Sequence, residues 1–321
     1  MAVRLADRLN SALETASGQD SSGFPEALWP SLQTGGPLGR TDLLLSLLTI
    51  YDLSTAPLQR LGARARWAGH PAVAALKARL EDEFVADLDL AVAGQPTVND
   101  PVKAIRALAA KDRLPSVYRW VAKHATLEEL REFVAVEGGP DGGFDDLVAI
   151  CQVGLSGDAK MEMARNYWDE MGNGSPADVH TDLHRQMAAT LQIPELARES
   201  LPEPALARAA LGGLLATNRW LQPEMVGALG LIELQAGPRC RLVLEAFHRL
   251  GLPEEAGAFY AVHADVDPRH GKDWLEQVIA PLSLESPDWS ERMVRGAAWR
   301  WAVNAELFET LGEDRPLPLA A

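Results

Sequence analysis

The stretch FYAVHADVDPRHGKDW, residues 259–274, combines two histidines and several acids with apolar residues at helical spacing. A helix turns about 100° per residue, so His263, Asp267 and His270 fall within roughly 60° of one another on one face. Asp265 points the other way. Three side chains that can bind a cation therefore face one point.

Two interpretations of this face are open on the residues alone. It is either a solvated face near a kink at Pro268, whose ring cannot donate to the carbonyl of Ala264, or a metal site. The apolar neighbours favour an inward-facing helix, where a carboxylate between imidazoles is costly without a cation. Imidazole and carboxylate without thiolate suit iron, manganese or zinc.

Composition narrows the class of protein. The chain has 321 residues, of which 47% are hydrophobic, and this is enough for a large core. A net charge of -15 without any basic run disfavours nucleic acid, because phosphate binding needs clustered Lys and Arg. No apolar run has the length of a membrane helix, and the N-terminus is typical of an amphipathic helix rather than a signal peptide. We expect a cytoplasmic protein that binds neither nucleic acid nor membrane.

The dominant period along the chain is helical. Apolar residues recur at three-to-four spacing in TDLLLSLLTIYDL (41–53), PVKAIRALAA (101–110), PALARAALGGLLATNRWL (204–221) and RCRLVLEAFHRLGL (239–252). Helix starts are predicted at Asp100 before Pro101 and at a capping box of Thr126 and Glu129. The sequence therefore predicts an all-α fold.

The predicted organisation has four parts. Residues 1–39 form an N-terminal helix and a linker rich in Gly, Ser and Pro, and residues 40–100 form accessory helices packed on the core. Residues 101–312 form the core, and residues 313–321 form a tail. No repeat of fixed length emerges, which disfavours a solenoid.

A second segment, AKMEMARNYWDEMGNGSPADVHTDLHRQM (159–187), offers further ligands. MGNGSP is a helix stop signal after Glu170, and we expect the next helix to begin near Ala177. A tight corner would bring Glu170 to His180, whereas a continuous helix would hold them about 15 Å apart. Asn166 and Glu162 share the face of Glu170, one and two turns earlier.

A third segment, LEELREFVAVEGGPDGGFDDLVAI (127–150), places Glu137 at the end of a capped helix. An acid near a helix terminus is common, so other acids compete with it. The competitors are Glu129, Glu132, Asp145 and Asp146.

Together, VEGG, NYWDEMGNGSPADVH and FYAVHADVDPRH resemble the haem-oxygenase-like diiron oxidases, often described as iron-containing redox enzymes. In that family one core helix supplies a Glu, a second region supplies a Glu and a His ten residues later, and a third helix supplies His-x3-Asp-x2-His. The resemblance covers about residues 100–310. It implies a haem-oxygenase-like helical bundle, here with additional N-terminal helices.

Carried onto this sequence, the resemblance implies a two-iron site with six ligands: Glu137, Glu170, His180, His263, Asp267 and His270. Glu162 and His184 are the rival ligands. It also implies non-haem iron cycling between Fe(II) and Fe(III), with O2 as co-substrate. The expected activity is oxidation of a small amine- or carboxylate-bearing metabolite, by N-oxygenation, desaturation or oxidative C–C cleavage of an amino-acid-like substrate. An external electron donor and a homodimer are compatible with this activity.

Substrate contacts are predicted on the helix after SPDW, where Arg292 and Arg295 could clamp a carboxylate. Asn166 is a further candidate. Ordinary surface charges in front of a tryptophan-rich core are the alternative interpretation of the two arginines. Two alternative functions also stay open: a redox-inactive or haem-binding helical protein of the same fold, and a non-enzymatic helical scaffold.

Overall fold

The computed structural model describes residues 3–18, 38–94, 100–111, 114–138 and 143–313, and these ranges are helical without any strand. The predicted all-α class is confirmed. Residues 19–37, which make up most of the predicted linker, and residues 314–321 of the predicted tail lie outside the described residues. None of the described helices has both the length and the apolarity required to cross a bilayer.

The helices follow one another with short connections. In the first half of the chain they are α1 (Leu5–Gly18), α2 (Arg40–Thr55), α3 (Leu58–Leu61), α4 (Pro71–Ala91), α5 (Pro101–Lys111), α6 (Ser116–Lys123), α7 (Leu127–Glu137) and α8 (Phe144–Cys151). In the second half they are α9 (Gly157–Glu170), α10 (His180–Leu191), α11 (Glu203–Thr217), α12 (Gln222–Arg249), α13 (Ala258–Asp273), α14 (Ala280–Glu285) and α15 (Asp288–Gly312). A 3-10 helix, Gly62–Gly69, follows α3, and a π-helix, Trp274–Ile279, joins α13 to α14.

Two predicted helix starts are confirmed by their hydrogen bonds. Thr126 Oγ1 accepts from the backbone N–H of Glu129, while the Glu129 carboxylate accepts from the backbone N–H of Thr126, which is the predicted capping box. α5 begins at Pro101, and Asp100 accepts from the N–H of Lys103. These local signals fix where α5 and α7 begin.

The chain divides into two compact units. The first contains residues 1–93 and 197–219, and the second contains residues 94–196 and 220–321. In the first unit, α2 packs against α1, α4 and α11. Residues 197–219, placed in the core by the sequence, thus group with the N-terminal helices. The four-part division itself stays a prediction.

In the second unit α12 is the central helix. It has 28 residues, and α5, α6, α13 and α15 all pack against it. Its glycines let backbones touch: a Cβ at Gly227 would overlap the carbonyl of Met293, and a Cβ at Gly296 on α15 would overlap the carbonyl of Glu224. No side chain fits between α12 and α15 at this crossing.

The contact between α12 and α13 is almost as close. A Cβ at Gly271 would lie 3.0 Å from the carbonyl oxygen of Glu233, and a Cβ at Gly237 would lie 3.0 Å from Cδ of Pro268. At Gly230 a Cβ would meet the ring of Trp274 at 2.6 Å. Small residues on both helices therefore bring their polar groups within reach of one another.

Pro268 does not end α13, which runs unbroken from Ala258 to Asp273. Proline leaves the carbonyl four residues earlier without its helical donor. That carbonyl, of Ala264, instead accepts a 2.7 Å hydrogen bond from Arg241 Nη2 on α12. The helix tolerates the proline because α12 supplies the missing donor, and the irregular π-helical turn follows only after Asp273.

We expect Gly296→Ala to lower the free energy of unfolding by about 3 kcal/mol, because a methyl group there forces the backbones of α15 and α12 apart. Gly312→Ala on the same helix is the control, since its Cβ would meet only Ser116 Oγ at 3.6 Å. Urea unfolding of the metal-free proteins measures both. Equal stability of the two variants would contradict the close crossing.

Candidate metal centre

The corner between α9 and α10 brings Glu170 and His180 together, as the stop signal predicts. α9 ends at Glu170, and α10 begins at His180, three residues later than expected. Gly172 makes the corner possible: it has φ +60, and a Cβ there would lie 2.6 Å from the backbone of Asp178. As a result Nδ1 of His180 lies 2.8 Å from Oε2 of Glu170.

Two groups of side chains meet around Glu170 with ligand atoms within 4.8 Å of one another. The first consists of Glu170, His180 and His263. The second consists of Glu170, Glu233 and His270. Asp267 belongs with them, since the charges of Glu233 and Glu170 act on its carboxylate. We call these six residues the central cluster.

His270 lies between two acids. Its Nε2 donates to Oδ2 of Asp169 at 2.7 Å, and its Nδ1 lies 3.6 Å from Oε2 of Glu233. Burial acts to lower the pKa of His270, but the contacts with Glu233 and Asp169 outweigh it and raise the pKa to about 9. Asp169 thus holds a proton on Nε2 and turns Nδ1 toward the central cluster.

His263 is oriented in the same manner by the backbone. Its Nδ1 lies 2.7 Å from the carbonyl oxygen of Phe259, which can only accept, so Nδ1 carries the proton. The lone pair is therefore on Nε2. Burial lowers the pKa of His263 to about 4, despite the opposing charge of Glu170, so the ring is neutral at physiological pH. Neutral imidazole is the form that binds metals.

The three carboxylates of the central cluster lack a counter-charge from arginine or lysine. Glu170, Glu233 and Asp267 are at most 3% exposed, and none pairs with Lys or Arg within the described chain. Burial, reinforced by the charges of Glu233 and Glu170, raises the pKa of Asp267 well above its usual range. Buried carboxylates in this density are costly unless a cation neutralises them.

Unfilled hydrogen-bonding positions point to the same conclusion. Three buried atoms of the central cluster have no hydrogen-bond partner: Nδ1 of His180, Nδ1 of His270 and Oδ2 of Asp267. The short His180–Glu170 contact lacks hydrogen-bond geometry. Three carboxylates and three imidazoles with unfilled positions fit iron or another divalent metal, and their charge of -3 suits two ions better than one.

Glu233 is the residue of the central cluster that the sequence interpretation missed. It is an acid in the otherwise apolar run LGLIELQAG of α12, and its burial would have been the available signal. Asn166, predicted to bind substrate, donates from Nδ2 to Oε1 of Glu233 at 2.7 Å. Its role in substrate binding stays a prediction, while its contact in the structure orients Glu233.

Three other predicted ligands lie outside the two groups. Glu137 accepts a 2.8 Å hydrogen bond from the hydroxyl of Tyr118. His184, the rival of His180, packs on Phe259 and senses the charge of Glu137. Glu162 is buried and pairs with Arg165 at 3.2 Å. Their assignment as ligands stays a prediction.

The two arginines predicted to clamp a substrate have a partner within the protein. Arg292 donates to both oxygens of Glu224, at 2.9 and 2.7 Å, and Arg295 approaches the same carboxylate at 3.4 Å. Glu224 is fully buried, so these contacts neutralise a charge that could not otherwise stay there. Arg295 also stacks on Trp299. A substrate role for either arginine stays a prediction.

We expect Glu233→Gln to weaken divalent-metal binding by at least about 100-fold, because it removes a buried anionic ligand. The metal-free variant should unfold at a higher temperature than the parent, since Asp267 and Glu170 lose a repelling neighbour. Cobalt(II) titration and thermal melts measure the two effects. Glu245→Gln, at an exposed position of the same helix, is the control and should change neither. Undiminished cobalt binding by Glu233→Gln would remove Glu233 from the metal centre.

Cobalt(II) affinity of the parent protein should rise between pH 7 and 9, because His270 must lose a proton before Nδ1 can bind the metal. Asp169→Asn removes one of the charges that raise the pKa of His270, so the rise should become shallower. Arg269→Gln removes another contact of Asp169 but keeps its carboxylate, and should retain the parent slope. Identical slopes in all three proteins would show that Asp169 does not control His270.

Comparison with known proteins agrees with this geometry. A family model described as iron-containing redox enzyme, of haem-oxygenase-like type, matches residues 131–305, more than half of the chain. No curated protein matches the sequence. The matched range contains every residue of the central cluster. The chain therefore belongs to the haem-oxygenase-like family of iron-containing redox enzymes.

Proposed function

We propose that this protein is a non-haem diiron oxidase that activates O2 to oxidise a small amine- or carboxylate-bearing metabolite. The observation that carries the proposal is the central cluster, where three buried carboxylates meet three histidines without Lys or Arg. Two ferrous ions bring a charge of +4 against -3, which relieves the repulsion among the acids. Membership of an iron-containing redox family supports iron as the metal.

Each ligand has a distinct position in this proposal. Glu170 belongs to both groups, so its carboxylate is suited to bridge two ions. His180 and His263 would complete one ion, and Glu233 and His270 the other. Asp267 has an unpartnered oxygen and would join them. When bound, the iron pair would supply two electrons to O2, and carboxylate ligands can shift as the metal charge changes.

The surrounding residues hold protons and exclude water. Asp169 keeps a proton on Nε2 of His270, and the Phe259 carbonyl keeps one on Nδ1 of His263. Both rings are thereby fixed with a lone pair directed at metal. Met163 and Ala264 are buried apolar residues on the two ligand helices and limit access of bulk water.

Polar groups one turn from the ligands are suited to a substrate that carries an ammonium group. Tyr260 lies three residues before His263, and His184 lies four residues after His180. The Tyr260 hydroxyl and Nε2 of His184 are buried without hydrogen-bond partners. Both groups sense the negative charge of Glu137, which favours a cationic or amine group between them. This supports an amino-acid-like substrate over a fatty acid.

The alternative of a haem protein has less support. Haem iron takes its protein ligand from one or two side chains and has no need of three buried carboxylates. A non-enzymatic scaffold would equally leave the charge of the central cluster unexplained.

Anaerobic titration with Fe(II) tests the proposal, followed by exposure to O2 and measurement of oxygen consumption with a panel of amino acids, amines and fatty acids. We expect about two ions per chain and oxygen consumption that one compound class accelerates. His263→Ala should lose at least about 100-fold of this rate, because it removes a ligand. His248→Ala, exposed on α12, is the control.

Uptake of a single weakly bound ion, or full oxygen consumption by His263→Ala, would contradict a diiron oxidase. Helicity of the variant, followed by circular dichroism, separates loss of metal from loss of fold.

A further inference from the structure

The N-terminal unit contains a polar cavity of about 220 Å³ that has no part in the proposed reaction. It lies among α1, α2, the 3-10 helix Gly62–Gly69 and the turn at residues 198–200. The polar residues that line it and carry the argument are Asn10, Thr49, Asp52, Arg60, Arg64 and Arg198. Three arginines around one small cavity are unexpected in a chain with a net charge of -15.

Two of these arginines already have a carboxylate. Arg198 donates to both oxygens of Asp52 at 2.7 and 2.9 Å, which is the bidentate arrangement that guanidinium favours. Arg60 approaches the same carboxylate at 3.3 Å. Asp52 is therefore saturated with donors. The other acid of the lining, Glu199, is exposed, and its charge acts on Arg4 outside the cavity.

Arg64 is different, since no acid pairs with it. Its Nη2 donates to the neutral amide oxygen of Asn10 at 3.1 Å, and its Nε is buried without a hydrogen-bond partner. Asn10 in turn reaches Thr49 Oγ1 at 3.5 Å, so the amide that holds Arg64 is itself positioned. A guanidinium group is always charged, and an unfilled buried donor is costly. The cavity thus has a fixed positive group and space beside it.

We propose that this cavity binds a small oxyanion, the phosphate or carboxylate group of a metabolite, through Arg64 with support from Arg60. The oxyanion fills the donor positions of Arg64 that the protein leaves open, and it adds the negative charge that three arginines and one saturated acid lack. Phosphate and carboxylate share the paired oxygens that a guanidinium fork recognises.

Calorimetric titration of the full-length protein tests the site, with inorganic phosphate and acetate as separate probes at constant ionic strength set with chloride. Binding of at least one probe at one site per chain is expected. Phosphate alone would identify a phosphate ester as the source of the oxyanion, and acetate alone would identify a carboxylate. Arg64→Gln should weaken binding about tenfold or more.

Two further variants separate this site from diffuse attraction and from loss of fold. Arg66→Gln changes an exposed arginine of the same 3-10 helix that stacks on Trp67, and it should bind within about twofold of the parent. Asn10→Ala frees Nη2 of Arg64 and should bind as tightly as the parent or more so. Binding of neither probe, or equal weakening by Arg64→Gln and Arg66→Gln, would overturn the proposal. The iron content of each variant should stay unchanged, so failure here is distinct from failure of the diiron proposal.

Discussion

The close approach of α12 to its neighbours sets the position of every group in the central cluster. Glycine at 271 lets the backbone of α13 touch α12 at Glu233, and this contact alone makes Glu233 and His270 neighbours. A larger residue at that point would separate the two side chains before either could orient a metal. The same helix supplies the donor that allows α13 to continue through Pro268. Backbone packing, rather than side-chain reach, therefore determines the site.

The fold class and the local part of the site could be predicted because both depend on short-range geometry. His-x3-Asp-x2-His needs one helix to share a face, and Glu170 with His180 needs one corner, for which MGNGSP carries a recognisable signal. Glu233 could not be placed by such rules, since its meeting with His270 depends on the pairing of two helices. Asp169 was missed for a similar reason: it precedes Glu170 in the chain, but its partner is 101 residues away. The choice of Glu137 rested on distance along the chain, which carries no information about direction in space.

Charge balance in the central cluster connects folding to metal binding. Without a cation, the imidazolium of His270 is the positive charge nearest to Glu233, and Asp267 has no hydrogen bond for one of its oxygens. Metal bound to the native state and not to the unfolded chain would stabilise the second unit by mass action. Stability and occupancy of the site are then the same quantity measured in two ways.

The π-helix at Trp274–Ile279 has a consequence for how sequences of this kind can diverge. A π-helical turn corresponds to one extra residue within an α-helix. Removing that residue would restore a regular helix but rotate everything after it by about 100° relative to His270. Trp274, whose indole N–H donates to the carbonyl of Val226, lies at the start of this turn. Insertions and deletions should consequently be excluded from this stretch during evolution, while they accumulate freely in the connections between helices.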